Sequence, residues 1–370
     1  MGAEPLPGRV VALQANYCLV SLDGPCEPGT DGSEPWRDGC LLCTRRTRLD
    51  KSGLQVCVGD RVAVAAVDWR ARRGAVVGLE PRHSLLERPA VANVSRVVVV
   101  VAVAEPDLDP LQLTRFLITA EATGQPVQVV LSKADLLPAA EVGAWCRRLE
   151  GWGYGTVAVS TRSGEGLEAL RGQLAEPGIA VLCGPSGVGK SSLLNALAPA
   201  LELRVAAVSG RLRRGRHTTR HVELFPVAPG ALVADSPGFN TPALPADPQS
   251  LAAAFPELLA RLQATPCRFA NCRHLGDPGC AVGDGWDRQA IYGRCLEEVE
   301  AAAAARPRGG QGRQGERGLR QRGDRLEPLL DPQLRRSSRS TRRQGLEQDL
   351  PALEGDLSSP DREDSDPDPR

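Results

Sequence analysis

Gly184-Pro185-Ser186-Gly187-Val188-Gly189-Lys190-Ser191 follows the pattern Gly-x4-Gly-Lys-Ser, in which a glycine-rich turn lets backbone N–H groups face phosphate oxygens. An apolar run, Ile179 to Cys183, precedes it and a helical pattern follows, so a helix N-terminus adds its dipole to the same oxygens. Lys190 is placed to contact β and γ phosphates, and Ser191 to ligate the magnesium ion that accompanies them. Cradling phosphates does not choose a base. Leu131-Ser132-Lys133-Ala134-Asp135-Leu136 carries that choice: the Asp135 carboxylate can accept hydrogen bonds from N1–H and the N2 amino group of guanine, whereas the unprotonated N1 of adenine would repel it. Lys133 would pack along the base. Ser160, which opens Ser160-Thr161-Arg162-Ser163-Gly164-Glu165-Gly166, stands where a Ser-Ala-Lys type loop supports the base carbonyl.

The order of the two motifs is inverted. An ordinary GTPase places the phosphate loop before the base reader; here the base reader comes first. The chain has three lysines, Lys51, Lys133 and Lys190, and two of them belong to these motifs. A genome rich in G and C produces the same arginine bias, so the lysines support the reading without proving it.

Hydrolysis needs further groups. Asp235-Ser236-Pro237-Gly238 ends another apolar run, Leu232-Val233-Ala234, with Asp235 placed to hold magnesium through water and the Gly238 N–H to meet the γ phosphate. The basic, glycine-punctuated stretch from Gly210 to Arg220 reads as a mobile switch I, in which one threonine must reach magnesium and His217 is a candidate for orienting the attacking water. Phe239, not glutamine, follows Gly238, so intrinsic hydrolysis is expected to be slow and to depend on an activating partner.

Cys267-x4-Cys272-x-His274-x5-Cys280 gathers three thiolates and one imidazole, a set that suits tetrahedral zinc in a closed structural site. Cys40 and Cys43 lack a matching second pair and lie in an apolar strand, which reads as core packing.

These residues need a scaffold of several domains, and 370 residues with 42% hydrophobic content can supply it. Short apolar runs, Arg9 to Leu13, Tyr17 to Leu22, Gly39 to Thr44, Asp60 to Ala65 and Gly74 to Leu79, predict an all-β domain over residues 1–85 of the OB-fold type. Arginines there interleave with Trp36 and Trp69, a combination suited to RNA. Arg96 to Val103, Pro126 to Leu131, Thr156 to Ser160, Ile179 to Cys183, Val222 to Val227 and Ala231 to Asp235 predict the strands of a doubly wound α/β domain over 86–254. Helical spacing of Leu111, Phe116, Leu117 and Ala120 fills the first crossover. Residues 255–305 read as a helical, metal-bearing module and 306–370 as a disordered tail. Net charge is zero, yet Arg306 to Arg343 holds 12 arginines against 4 acids, and Gln344 to Arg370 2 arginines against 9 acids. A basic arm followed by an acidic end suggests a polyanion-binding segment with an internal competitor. No signal-peptide pattern opens the chain and no apolar stretch is long enough for a membrane span, so a cytoplasmic protein that does not contact membrane is expected, with its eleven cysteines as buried thiols or metal ligands.

Taken together, Lys133 and Asp135, then Ser160, Gly184 to Ser191, His217-Thr218-Thr219, Asp235 to Gly238 and the Cys267-Cys272-His274-Cys280 set, behind an OB-like domain, resemble the circularly permuted, ribosome small-subunit-dependent GTPase A family (RsgA, also called YjeQ). The resemblance covers roughly residues 8–305. It implies a permuted P-loop GTPase core between an OB-fold and a zinc-binding domain, late maturation of the small ribosomal subunit with its rRNA as partner, and conversion of GTP to GDP stimulated by that subunit. A monomer is expected. On its pattern Gly184 to Ser192 bind the phosphates, Ser132 to Asp135 the guanine, Thr219 belongs to switch I and ligates magnesium, and His217 matches the position thought to act in catalysis. Two departures stand out: Ser132 replaces the usual Asn, which should weaken contacts to guanine N7 and to the P-loop, and Arg220 replaces a third threonine. The acidic end beyond Asp349 is not accounted for. A competing function is a zinc-dependent RNA-binding module that uses GTP only as a sensed ligand.

Overall fold

Apolar residues alternating with polar ones along the first eighty or so positions close a barrel. Its strands are β1 (Leu6–Gln14), β2 (Tyr17–Leu22), β3 (Cys40–Arg45), β4 (Arg61–Asp68) and β5 (Arg73–Leu79). Antiparallel pairing of β1 with β2 and β4, of β2 with β3 and of β4 with β5, plus parallel pairing of β3 with β5, carries the hydrogen bonds right round. Val10, Cys18, Val20, Leu41, Cys43, Val62, Val64 and Val76 fill the interior. This is the OB-like barrel the strand spacing predicts. Cys43 is core, and burial followed by the neighbouring Cys18 pushes its thiol up to about 12. The computed structural model describes residues 4–14, 17–23, 39–45, 55–87, 90–198, 222–235, 242–305, 319–322 and 325–328.

A bulge between Val10 and Ala12 turns β1 out of the barrel, so that Val11 and Ala12 join the core of the next domain. Ala12 pairs with Glu223 of β12 (Glu223–Ala228). The linker is locked by Asp60, which is fully buried and receives Arg82 Nε at 2.6 Å, Arg82 Nη2 at 2.8 Å and the Cys57 N–H at 2.7 Å. A short hairpin, β6 (Leu85–Glu87) and β7 (Ala90–Ala92), completes the crossing.

The central sheet runs β10 (Gly155–Ala158), β9 (Val127–Ser132), β8 (Arg96–Ala102), β11 (Gly178–Cys183), β13 (Ala231–Asp235), all parallel, with β12 antiparallel beside β13. The valine run of β8 explains the layers. Val97, Val99 and Val101 face α1 (Pro110–Glu121) and α2 (Ala139–Gly151) through Leu113, Phe116, Leu117 and Leu149. Val98, Val100 and Ala102 face α3 (Leu167–Leu174) and α4 (Lys190–Leu197) through Leu170 and Leu193. Both faces of the strand are covered, which is why its sequence shows no alternation.

Beyond the sheet lie α5 (Pro248–Ala253), α6 (Pro256–Ala264) and α7 (Gln289–Ala305), with Asp247 capping α5 by accepting the Ser250 N–H at 2.8 Å. Their core, Leu251, Phe255, Leu258, Trp286, Tyr292 and Leu296, includes Ile118 from α1. Past residue 305, a separate unit contains the antiparallel hairpin β14 (Leu319–Arg322) and β15 (Arg325–Pro328). No disulfide forms among the described cysteines, and no described helix is long and apolar enough to cross a membrane.

Candidate guanine-nucleotide site and metal centre

β11 delivers the chain to Gly184, whose φ of 139° belongs to glycine and where a Cβ would lie 2.0 Å from the Val100 carbonyl oxygen. The loop therefore starts pressed against β8. Gly189, at φ 90°, turns the chain into α4, so the loop ends on a helix N-terminus. Lys190 Nζ donates to the carbonyls of Gly184 at 2.8 Å and Pro185 at 2.7 Å, which holds the ammonium inside the loop it is expected to serve. Ser186, Gly187, Ser191 and Ser192 are exposed, while Val188 is buried and anchors the turn.

The Ser132–Leu136 segment, expected to read the base, sits beside this loop, with Ser132 reaching Val188. β9 ends at Ser132, Lys133 takes a left-handed φ of 57°, and Ala134–Leu136 form a single 3-10 turn. Ala134 N–H donates to the Val159 carbonyl at 3.1 Å, and Ser160 Oγ donates to Asp135 Oδ1 at 2.6 Å. Ser160 Oγ itself receives the Arg162 and Ser163 N–H groups at 3.2 and 3.1 Å. The hydroxyl is thus oriented from both sides, and its hydrogen bond is the main reason the Asp135 carboxyl titrates below the ordinary value. An ionised acceptor at an exposed position is what N1–H and the N2 amino group of guanine require.

Ser132, the departure from the usual Asn, keeps the tie to the phosphate loop. Its hydroxyl lies 2.6 Å from the Val188 carbonyl oxygen and 3.1 Å from that of Val101. The P-loop contact expected to suffer is made by the shorter side chain.

One wall of the site went unread in the sequence. Lys133 Nζ donates to the Glu105 carbonyl, and Pro106 lies 3.9 Å from where a Gly187 side chain would begin. The 103–109 loop thereby touches both motifs. A backbone carbonyl leaves no side-chain signature; the readable signal is Asp109-Pro110, an N-cap pair in which Asp109 Oδ1 accepts the Leu111 N–H at 2.9 Å.

The strand carrying Asp235 pairs with β11 in the register Leu182↔Asp235, so its end adjoins the start of the phosphate loop. The Asp235 side chain, His217, Thr219 and Gly238 lie outside the described residues.

Cys267, Cys272, His274 and Cys280 converge. Their ligand atoms lie within 4.8 Å of one another, and Cys267 Sγ is 3.5 Å from His274 Nδ1. Tetrahedral bonds of about 2.3 Å to sulfur and about 2.0 Å to nitrogen place ligand atoms about 3.5–3.8 Å apart, so the cluster can hold one metal ion. Burial pushes the Cys272 thiol up to about 12. Burial also raises Cys280, but the Gly283 and Val282 N–H groups and the neighbouring thiols outweigh it and bring Cys280 below its usual value. Asp277 Oδ2 accepts the Arg273 N–H at 2.8 Å and lies 3.5 Å from Cys272 Sγ. Arg273 in turn pairs with Glu300 at 3.0 and 2.6 Å, fixing the loop to α7.

Residues 79–245 match the family model described as RsgA GTPase. The small ribosomal subunit biogenesis GTPase RsgA of Synechococcus sp. (strain CC9605) is 56% identical over 304 residues, 82% of this chain and 97% of that protein. The chain belongs to the RsgA GTPase family. The RsgA of Thermosynechococcus vestitus is 46% identical over 362 residues, 96% of this chain and 99% of the relative. Among solved structures, YjeQ from Thermotoga maritima superposes with a TM-score of 0.63 at 28% identity, covering 80% of this chain and 98% of its own. YloQ, a circularly permuted GTPase, gives 0.63 at 27% identity, covering 83% and 97%. As an RsgA GTPase the chain is a GTP-hydrolysing enzyme with the permuted motif order, and the inverted sequence of Asp135 and Lys190 is a property of its family.

The core of the C-terminal helices also rests on a residue that composition hides. Arg288 is fully buried, pairs with Glu257 through Nε at 2.6 Å and through Nη2 at 2.5 Å, and has its guanidinium 4.5 Å from the Phe255 ring and 4.6 Å from that of Trp152. It locks the C-terminal helices against Trp152 at the end of α2. In a chain this rich in arginine, nothing in the sequence separates Arg288 from its exposed neighbours.

Proposed function

We propose that this GTPase binds the small ribosomal subunit, acts in its late maturation, and hydrolyses GTP to GDP faster when bound there. The observation that carries the reading is the Ser160-braced Asp135 carboxylate beside the Gly184 to Ser191 loop, in a chain 56% identical to a protein described as a small ribosomal subunit biogenesis GTPase. Ser132, Lys133, Ala134 and Asp135 hold the guanine, Ser160 orients Asp135, and Gly184 to Ser192 cradle the phosphates. Magnesium, held by Ser191, Thr219 and, through water, Asp235, would neutralise charge on the β and γ oxygens. His217 orients the attacking water and the Gly238 N–H meets the γ phosphate.

The domains follow as an OB-fold that binds rRNA (1–85), the permuted GTPase domain (86–254), a zinc-binding module (255–305) and a tail (306–370) whose composition disfavours a packed core and whose described part is the β14–β15 hairpin. Three thiols and an imidazole within tetrahedral reach favour zinc in Cys267, Cys272, His274 and Cys280, as a structural ion. The working form is a cytoplasmic monomer.

The decisive experiment titrates GTPase activity with small subunits and, as control, large subunits. Stimulation by the small subunit alone is expected. Equal rates with and without it would overturn the reading.

A further inference from the structure

At the seam between barrel and central sheet is a cleft of about 580 Å³, lined by Arg9, Ser21 and Arg61, by Asp23, the ion-pair partner of Arg61, and by the apolar Pro226, Pro229 and Leu232. Arg9, Ser21 and Arg61 form one cross-strand row: Ser21 of β2 is directly opposite Arg9 of β1, and Arg9 directly opposite Arg61 of β4. Like charges facing each other across a sheet are destabilising unless something compensates them. Arg61 has that compensation, since its two terminal nitrogens bind both Asp23 oxygens and its Nε is 3.9 Å from Glu80. Arg9 does not. Among the described residues its half-buried guanidinium has no hydrogen-bond or ion-pair partner, and neither has the Ser21 hydroxyl. Burial and then repulsion from Arg61 lower the Arg9 pKa, with Asp23 and Glu80 opposing at longer range.

Two donor groups without partners thus face a cavity of ligand size above an apolar floor. A phosphate satisfies a guanidinium fork and a hydroxyl together, and the proline faces offer a surface for a ring. We propose that this cleft binds a nucleotide unit, its phosphate on Arg9 and Ser21 and its sugar or base against Pro226 and Pro229. An RNA strand crossing the barrel is the source if the RNA-binding reading of that domain holds, on which this part of the proposal rests; a free mononucleotide presents the same chemistry. The floor belongs to the β12–β13 hairpin, whose far end carries Asp235. Occupancy would therefore tie the barrel to a strand pair that leads into the nucleotide site.

The test uses the full chain with its GTPase site saturated by GDP. The Arg9 Nε–H resonance, assigned by its loss in Arg9→Gln, is followed while a single-stranded RNA decamer, AMP or inorganic phosphate is added. A shift with RNA, together with about tenfold weaker RNA binding by Arg9→Gln at 0.1 M salt and a salt slope reduced by about one, supports the RNA source. Ser21→Ala should weaken binding about threefold without disturbing the ion pairs, and basal GTP hydrolysis should be unchanged in both variants. A shift with AMP or phosphate, when RNA does not bind the wild type at all, supports the cleft with a small-nucleotide ligand and removes the RNA reading of the barrel. No shift with any probe, or wild-type RNA affinity and slope in Arg9→Gln, overturns the proposal.

Discussion

Ser160 Oγ donates to Asp135 Oδ1 at 2.6 Å while receiving two backbone N–H groups. The carboxylate proposed to read the base is therefore aimed by a second loop, and that hydrogen bond is the first cause of its lowered pKa. Guanine recognition needs the ionised form, so a depressed pKa keeps binding intact to lower pH, and binding fails as pH falls through it. Removing the hydroxyl in Ser160→Ala should move the acid limb of GDP affinity to higher pH. At neutral pH the loss of aim should weaken GDP binding about fivefold. Equilibrium titration between pH 4 and 7.5 measures both, and an unmoved acid limb would contradict the role given to Ser160.

Base choice is tested at Asp135 itself. Asp135→Asn replaces one acceptor with a donor, which complements the C2 carbonyl of xanthine in place of the guanine amino group. Competition between XDP and GDP should shift toward xanthine by at least about a hundredfold. An unchanged preference would mean that another group reads the base.

How much of this was readable in advance follows from where each contact is made. The β8 valines, the glycines at 184 and 189 and the Cys267 to Cys280 spacing announce themselves, because burial on two faces, positive φ and metal ligation each demand particular residue types. Contacts made through the backbone do not, so the Glu105 carbonyl that receives Lys133 was invisible. The Ser132 tie to the P-loop depends on backbone approach, which no residue type announces: β9 and the loop come close enough for its hydroxyl to reach the Val188 carbonyl. Asp277 braces the Arg273 amide between Cys272 and His274, and an acid within a turn gives no sequence sign of that contact.

Chelation should act on one part of the chain. The cluster joins the loop before α7 to a helical core through Cys280, so metal removal or Cys272→Ser should loosen residues 267–285 and lower the Tm by about 5 °C or more. Elemental analysis should return one zinc per chain in the wild type and none in the variant. Nucleotide binding, made by a different core, should stay within about twofold. Full zinc content in Cys272→Ser would exclude the four-ligand site.

Arg288 is the arginine whose loss should cost most. With its partner Glu257, whose side chain is 11% exposed, left unpaired, Arg288→Ala is expected to destabilise the chain by about 3 kcal/mol in urea unfolding. The double variant Arg288→Met with Glu257→Leu should recover most of that, since no charge is then stranded. If both variants were equally unstable, stacking against Phe255 and Trp152, not charge pairing, would be the dominant contribution.

Coupling between nucleotide and metal module has a physical route through α1. Its leading loop touches Lys133 and the P-loop, Thr119 Oγ1 accepts the Ala243 N–H at 3.1 Å, and Ile118 enters the core of the C-terminal helices. Residue 243 follows the Asp235 to Gly238 motif by a few positions, so a change there pulls on α1 as well as on the chain leading to α5. Hydrogen exchange on the ribosomal particle should then differ across residues 242–300 between GTP-analogue and GDP states, and Thr119→Val should reduce the difference while leaving basal hydrolysis intact. Identical exchange in the two nucleotide states would show that the metal module does not respond to the γ phosphate.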